Sequence, residues 1–476
     1  MADEAAKPQD EKKAVELTEE TPVVRQHDAG GIKYRTVTGR MPIFDEDGKI
    51  EQQIFFMAYL KEDEEAGTRP LMFSFNGGPG SPSIWLHLGA LGPKRAPMED
   101  DGNLPKPPYK VIDNPHHWLG ETDLVFIDPI GTGYSRAKDE KTAEKCWGLQ
   151  GDIESVGEFI RMFLTRHKRW GSPLYLVGES YGTTRAAGLA GWLIDRGVAF
   201  NGIVLVSSIL NFQTAEFRKG NDLPYPLFLP TYTATAHYHG KVKGSLATAL
   251  KESKAFALGD YWTALGQGDR LPAKQRKAVG AKLARLTGLS ESFVDGCDLR
   301  IHIQDFCKEL MRDKKRTVGR LDSRIRGIDD FSKNSDQRPE HDPSMSILMA
   351  PYTAAFNQYV REELGYETDL VYEVFRGVKK PWQYGPAREG YPDTSEALRK
   401  AMARNPYMKV YVASGLFDLA TPFFATEYTL SHMGLDPSLR GNFTTDEYEA
   451  GHMMYIETGC LARLKANVAA FVKSAL

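Results

Sequence analysis

The stretch Leu174-Tyr175-Leu176-Val177-Gly178-Glu179-Ser180-Tyr181-Gly182 decides how the rest of the chain is read. Its first four residues are an apolar run of strand length, and the pattern Gly178-x-Ser180-x-Gly182 follows at once. A serine so placed sits in a sharp strand-to-helix turn, where a side chain at either flanking position would crowd the backbone as it doubles back. In a chain with 44 glycines an ordinary glycine-serine turn is the competing reading. The context favours the elbow, because residues 183–198 carry Ala186, Ala187, Leu189, Ala190 and Leu193 at amphipathic helical spacing. Strand, turn and helix together make Ser180 the candidate nucleophile.

Upstream, residues 152–169 hold Val156, Phe159, Ile160, Phe163 and Leu164 at helical spacing. Before them the apolar run 124–127 ends in Asp128-Pro129 and enters Gly131-Thr132-Gly133-Tyr134-Ser135. That segment lacks a full G-x-G-x-x-G with a helix start behind it, so it is a poor phosphate cradle. Residues 71–75 form a short strand that runs into Asn76-Gly77-Gly78-Pro79-Gly80. With few side chains to shield its amides, such a loop can turn backbone N–H groups toward a developing oxyanion. Residues 33–41 and 52–61 read as an antiparallel pair, and residues 1–28, poor in apolar side chains, as a disordered leader.

Downstream, 203–206 is the next parallel strand. Between about 211 and 405 the alternation of strand and helix breaks down into charged and tyrosine-rich pieces, with amphipathic helices at 244–258, 273–286 and 396–404. The core signal then returns as a strand at 409–414, a helix at 424–435, a strand at 443–449 and a helix at 459–476. The expected fold is α/β, a mostly parallel sheet flanked by helices. Its expected divisions are a leader (1–28), a first core part (29–211), a largely helical cap insertion (212–405) and a second core part (406–476).

A serine hydroxyl needs a base and the base an orienting carboxylate, and in α/β hydrolases these follow in the order Ser, Asp, His after successive strands. Asp418 follows the strand at 409–414, and His452, in Glu449-Ala450-Gly451-His452-Met453, follows the last strand. His87, His116, His117 and His432 have no matching strand end, and His237, His239 and His302 lack a readable further metal ligand. No metal and no cofactor is expected. Lys plus Arg total 60 against 63 acidic residues, a net charge of −3, which argues against a nucleic-acid partner. No apolar run is long enough to span a membrane. Met1-Ala2-Asp3-Glu4 does not begin a signal peptide, so the chain reads as cytoplasmic as it stands, and as periplasmic or secreted if a signal was removed. Oligomeric state stays open, a homodimer included. The four cysteines contain no C-x-x-C; Cys297 and Cys307 either pair or stay free.

The Asn76–Gly80 loop, the segment from Ile127 to Ser135, Gly178-Glu179-Ser180-Tyr181-Gly182, the Asp418 loop and Gly451-His452-Met453 together resemble the serine carboxypeptidase family of α/β hydrolases, in a bacterial-type member. The resemblance implies peptide substrates, a Ser180–His452–Asp418 triad and an oxyanion hole of the Gly78 and Tyr181 backbone N–H groups. It also implies that Asn76 and Glu179 bind the substrate's terminal carboxylate. A carboxylate beside the nucleophile would repel an incoming one unless protonated, which points to acidic operation. The chain departs from the family at Ala90, in Gly89-Ala90-Leu91-Gly92-Pro93, where a second glutamate is usual, and at Ser81, where a cysteine is. An esterase or acyltransferase on the same triad therefore remains the alternative, and a silent binding protein a more distant one.

Overall fold

The computed structural model describes residues 16–100, 102–331, 338–385 and 390–476. Nine strands form the continuous path of a ten-stranded sheet. They are β1 (Val23–Ala29), β2 (Ile32–Phe44), β3 (Ile50–Lys61), β4 (Leu71–Phe75), β5 (Asp123–Ile127), β6 (Leu174–Ser180), β7 (Gly202–Ser208), β8 (Lys409–Gly415) and β9 (Phe443–Tyr448). Their spatial order is β1-β2-β3-β5-β4-β6-β7-β8-β9. Pairing is antiparallel from β1 through β3 to β5 and parallel from there to β9. The elbow strand β6 thus lies inside the sheet, and its apolar run is continuous because both faces are covered.

Alternate residues of the central strands feed two cores. Leu174 and Leu176 join one cluster, with Val156, Phe159 and Phe163 of α1 (Leu149–Arg166) and Ala186, Ala187 and Leu189 of α2 (Tyr181–Ile194). Tyr175 and Val177 point the other way, into a cluster holding Leu461, Leu464 and Val468 of the C-terminal helix Thr458–Ser474.

Two boundaries differ from expectation. The leader is shorter than 1–28, because β1 pairs along its whole length with β2 and Asp28 Oδ1 accepts the Gly31 N–H at 2.8 Å in the turn between them. An edge strand draws its hydrogen bonds from its neighbour and needs little apolar content, so composition did not announce it. Residues 1–15 lie outside the described residues.

The segment 212–405 is not one unit either. Its first half, from helix α3 (Pro224–Tyr238) onward, packs a core of its own around Leu227, Tyr232, Leu283 and Phe306, which also takes in Phe417 and Phe423 beyond β8. Its second half returns to the sheet. Helix α4 (Pro343–Glu362) buries Tyr352, Phe356 and Tyr359 in the cluster on one face. Helix α5 (Ser395–Arg404) buries Leu398 and Met402 in the cluster on the other, as the crossover helix that precedes β8.

Candidate active site

Ser180 ends β6 and stands before α2 with φ +60° and ψ −130°, a conformation costly for any residue with a Cβ. The turn is closed so tightly that a Cβ on Gly178 would lie 2.1 Å from the Gly182 carbonyl oxygen. The strain is therefore built into the elbow and serves to present the serine. The glycine loop after β4 meets the elbow directly, since a Cβ on Gly77 would come within 2.4 Å of the Tyr181 amide nitrogen. Tyr181 is the first helical residue, so its N–H has no acceptor within the helix. Gly78 holds φ +104° beside it.

The loops after β8 and β9 bring a carboxylate and an imidazole together. His452 Nδ1 is 2.7 Å from Asp418 Oδ2, and both residues are buried. Asp418 Oδ1 accepts the Ala420 and Thr421 N–H groups at 2.8 and 3.0 Å, and the Thr421 hydroxyl lies 2.7 Å from Oδ2. Such a saturated carboxylate cannot swing away from the imidazole. The Ser207 hydroxyl donates to the His452 carbonyl at 2.6 Å and pins the histidine loop to the end of β7. Burial works against the imidazolium, yet Asp418, and Glu179 further off, hold the His452 pKa above the ordinary histidine value. With Nδ1 committed to Asp418, Nε2 is the nitrogen left for the pocket that Ser180 and His452 line together.

That pocket also takes in Asn76, Gly77, Gly78, Trp85 and Glu179, with Arg320, Leu321, Met345, Leu348 and Phe375 from the 212–405 segment. Its volume of ≈ 100 Å³ is well below the roughly 300–1,000 Å³ of a site for a drug-sized ligand. Glu179 is buried, and burial pushes its carboxyl up to about 7 against the opposing pull of His452 and Tyr455. The Tyr455 hydroxyl donates to Glu179 Oε2 at 2.6 Å. Asn76 Oδ1 accepts the Leu86 N–H at 3.0 Å. Its Nδ2 lies close enough to Glu179 and Tyr455 to favour their ionised forms. It completes a hydrogen bond with neither, and is buried without a partner among the described residues.

Sequence reasoning missed the groups that hold these parts. Arg185 of α2 donates to the Asn76 carbonyl at 2.7 Å and to Asp152 of α1 at 2.8 Å, all three residues being buried. Asp128 Oδ1 accepts the Ser83 N–H and hydroxyl, both at 2.8 Å, and so fixes the end of the glycine loop. Arg185 shows in the sequence only as a charge at a helical position otherwise apolar, and Asp128 only as a carboxylate closing an apolar strand run. The competing histidines are otherwise engaged. His87 is packed in the core against Tyr59 Oη at 2.7 Å, with burial driving its pKa down to about 3. His237 and His239 bond backbone carbonyls, and His302 caps a helix. Among the described residues no three His, Cys, Asp or Glu side chains gather as a metal site. All four cysteines are free.

A strained serine between strand and helix, on a mostly parallel sheet with helices on both faces, defines an α/β hydrolase. The family model for serine carboxypeptidase matches residues 32–466, and the chain belongs to that family. Among curated proteins, Serine carboxypeptidase-like 8 of Arabidopsis thaliana is 29% identical over 157 residues, 32% of this chain and 33% of that protein. Serine carboxypeptidase-like 9 of the same plant is 26% identical over 159 residues, again 32% and 33% of the two chains. The chain thus spans about a third of the length of the curated relatives it matches. Among solved structures, Kex1(delta)p, a prohormone-processing carboxypeptidase from Saccharomyces cerevisiae, aligns with a TM-score of 0.58 at 14% identity. That alignment covers 92% of this chain and 91% of the yeast one, a likeness of fold. The plant relatives lend no support to a bacterial-type assignment.

Proposed function

We propose that the protein is a serine carboxypeptidase that removes residues one at a time from the C-termini of peptides. The observation that carries this reading is the Asn76 amide. A buried donor without an acceptor costs about 1–3 kcal/mol, and this one belongs to a residue that lines the same pocket as Glu179 and Ser180. A terminal carboxylate would supply the acceptor. Only the carboxylate of the residue next to the attacked bond can reach a donor so near the serine, so cleavage is confined to the chain end.

In this mechanism Ser180 Oγ attacks the last peptide carbonyl while His452 Nε2 takes its proton, and Asp418 keeps the imidazole oriented and balances its charge. The Gly78 and Tyr181 N–H groups hold the oxyanion of the tetrahedral intermediate. The protonated imidazole then gives its proton to the leaving amine, and water hydrolyses the acyl-Ser180 ester by the same steps reversed in role. Asn76 Nδ2 and a protonated Glu179 hold the departing residue's carboxylate. With the Glu179 carboxyl pushed up to about 7, the proton it needs is present through weakly acidic pH.

Arg320, Leu321, Met345, Leu348 and Phe375 serve as the cover that keeps the pocket small. A peptide mixture incubated with the protein and followed by mass spectrometry tests the reading. Ladders of single-residue losses from the C-terminus are expected. Internal fragments, or ester hydrolysis with every peptide left intact, would replace it with an endopeptidase or an esterase.

A further inference from the structure

Glu179 is served from several sides. His452 and Asp418 face it from the loops after β9 and β8, Asn76 from the glycine loop, and Tyr352 from α4. Arg320 lines the same pocket and acts on His452. Only Tyr455 makes a full hydrogen bond to it among the described residues, at 2.6 Å to Oε2. Tyr455 sits three residues after His452, in the short turn Met454–Ile456, and is wholly buried.

The space around its ring is made to measure. A Cβ on Gly89 would lie 2.3 Å from Tyr455 Cε2 and 2.6 Å from the Tyr352 hydroxyl, so the backbone of residues 87–91 lies flush against the two rings. Ala90 beside it is buried and carries no polar side chain toward Glu179.

We propose that Tyr455 is the positioning residue of the carboxylate subsite: its hydroxyl holds Glu179 Oε2, so that the carboxyl presents Oε1 to the substrate's terminal carboxylate. This rests on the carboxypeptidase reading for its substrate, but the pairing itself does not. A phenol buried among Glu179 and Tyr352 stays protonated far beyond neutrality, so it keeps the proton that it donates to Glu179 Oε2. Donation fixes which oxygen accepts and leaves the acid's own proton on the other. It also favours ionised Glu179, since a hydrogen bond to the charged form stabilises that form.

Tyr455→Phe removes one oxygen and keeps the ring against Gly89. Titration of the buried carboxyl by infrared difference spectroscopy, with Glu179→Gln identifying the band, reads the pairing without any substrate. The midpoint should rise by about one pH unit in Tyr455→Phe, a roughly tenfold change in ionisation constant. At weakly acidic pH the KM for a free-acid peptide should rise roughly tenfold with kcat little altered, while the KM for an ester lacking a carboxylate should not follow it. The ester also reports that the variant is folded. An unmoved midpoint together with an unmoved KM would overturn the proposal. A shifted midpoint in a protein whose wild type cleaves a peptide acid and its amide at one rate would keep the Tyr455–Glu179 pair and overturn its role toward a carboxylate, along with the carboxypeptidase reading.

Discussion

At the scale of single residues, the proposed mechanism rests on Ser180 and on two titrations that oppose each other. Ser180→Ala should lower turnover on the order of 10³ to 10⁶-fold and abolish labelling by a fluorophosphonate, which reacts only with an activated serine. Near-normal turnover in that variant would remove Ser180 from the mechanism. In that mechanism His452 must be neutral to act as base, whereas Glu179 must be protonated to bind a carboxylate. The first favours higher pH and the second lower. The rate on free-acid peptides should therefore be bell-shaped, with a falling limb near the Glu179 value of about 7. The two groups interact, so the limbs belong to the pair rather than to either residue. Ester substrates without a carboxylate should show the rising limb alone. Burial of Glu179 has a stability consequence as well. An acid whose pKa is raised on folding stabilises the native state at low pH, and that contribution is lost as pH climbs from the ordinary glutamate value of 4.5 through about 7. Glu179→Gln should accordingly raise the melting temperature more at pH 8 than at pH 5, the full effect being about 3 kcal/mol. Equal changes at the two pH values would mean that Glu179 does not titrate there.

At the scale of elements, what could be read in the sequence follows what is buried. The central strands were legible because a strand covered on both faces is a continuous apolar run, and the ends of β6, β8 and β9 bring Ser180, Asp418 and His452 to one side of the sheet. Helices α3 and α4 were not legible. The first carries Pro224, Pro226 and Pro230 and is buried nearly all round, so it has no polar stripe to give a period. The second carries Pro351 within it. Strand β1 escaped notice for the opposite reason, being mostly polar and held by its neighbour's backbone. Tyr455 and Arg185 were hidden because their partners are distant in sequence, and no local pattern encodes a contact made only by the fold. Arg185 supports a further prediction. It joins α1, α2 and the glycine loop through Asp152 and the Asn76 carbonyl. Asp152→Ala leaves a buried guanidinium without its counter-charge and should destabilise the protein by about 3–5 kcal/mol in urea unfolding. A loss below about 1 kcal/mol would mean that the ion pair does not hold the loop.

At the scale of the whole molecule, the ends of the sheet's strands carry Ser180, Asp418 and His452, while residues of the 212–405 segment line the pocket that Ser180 and His452 share. The core around Leu227 and Phe306 also embraces Phe417 and Phe423, which flank the loop of Asp418. The first half of the segment thus shares a core with the flanks of the Asp418 loop, while Leu321 and Leu348 lie in a core of the sheet, so neither half should separate as a folded piece. Limited proteolysis that released either as a folded piece, with the remainder cleaving folded proteins, would contradict the segment's role. The central claim is that Ser180 acts only on the last bond of a chain whose carboxylate is held by Asn76 and Glu179. It is tested most directly by a matched pair, one peptide with a free C-terminus and the same peptide as its amide, assayed by mass spectrometry at weakly acidic and at alkaline pH. The account predicts single-residue loss from the acid, much slower loss from the amide, and a difference that shrinks as pH rises past about 7. Equal rates for the two peptides at every pH, or products cut from their middle, would contradict it.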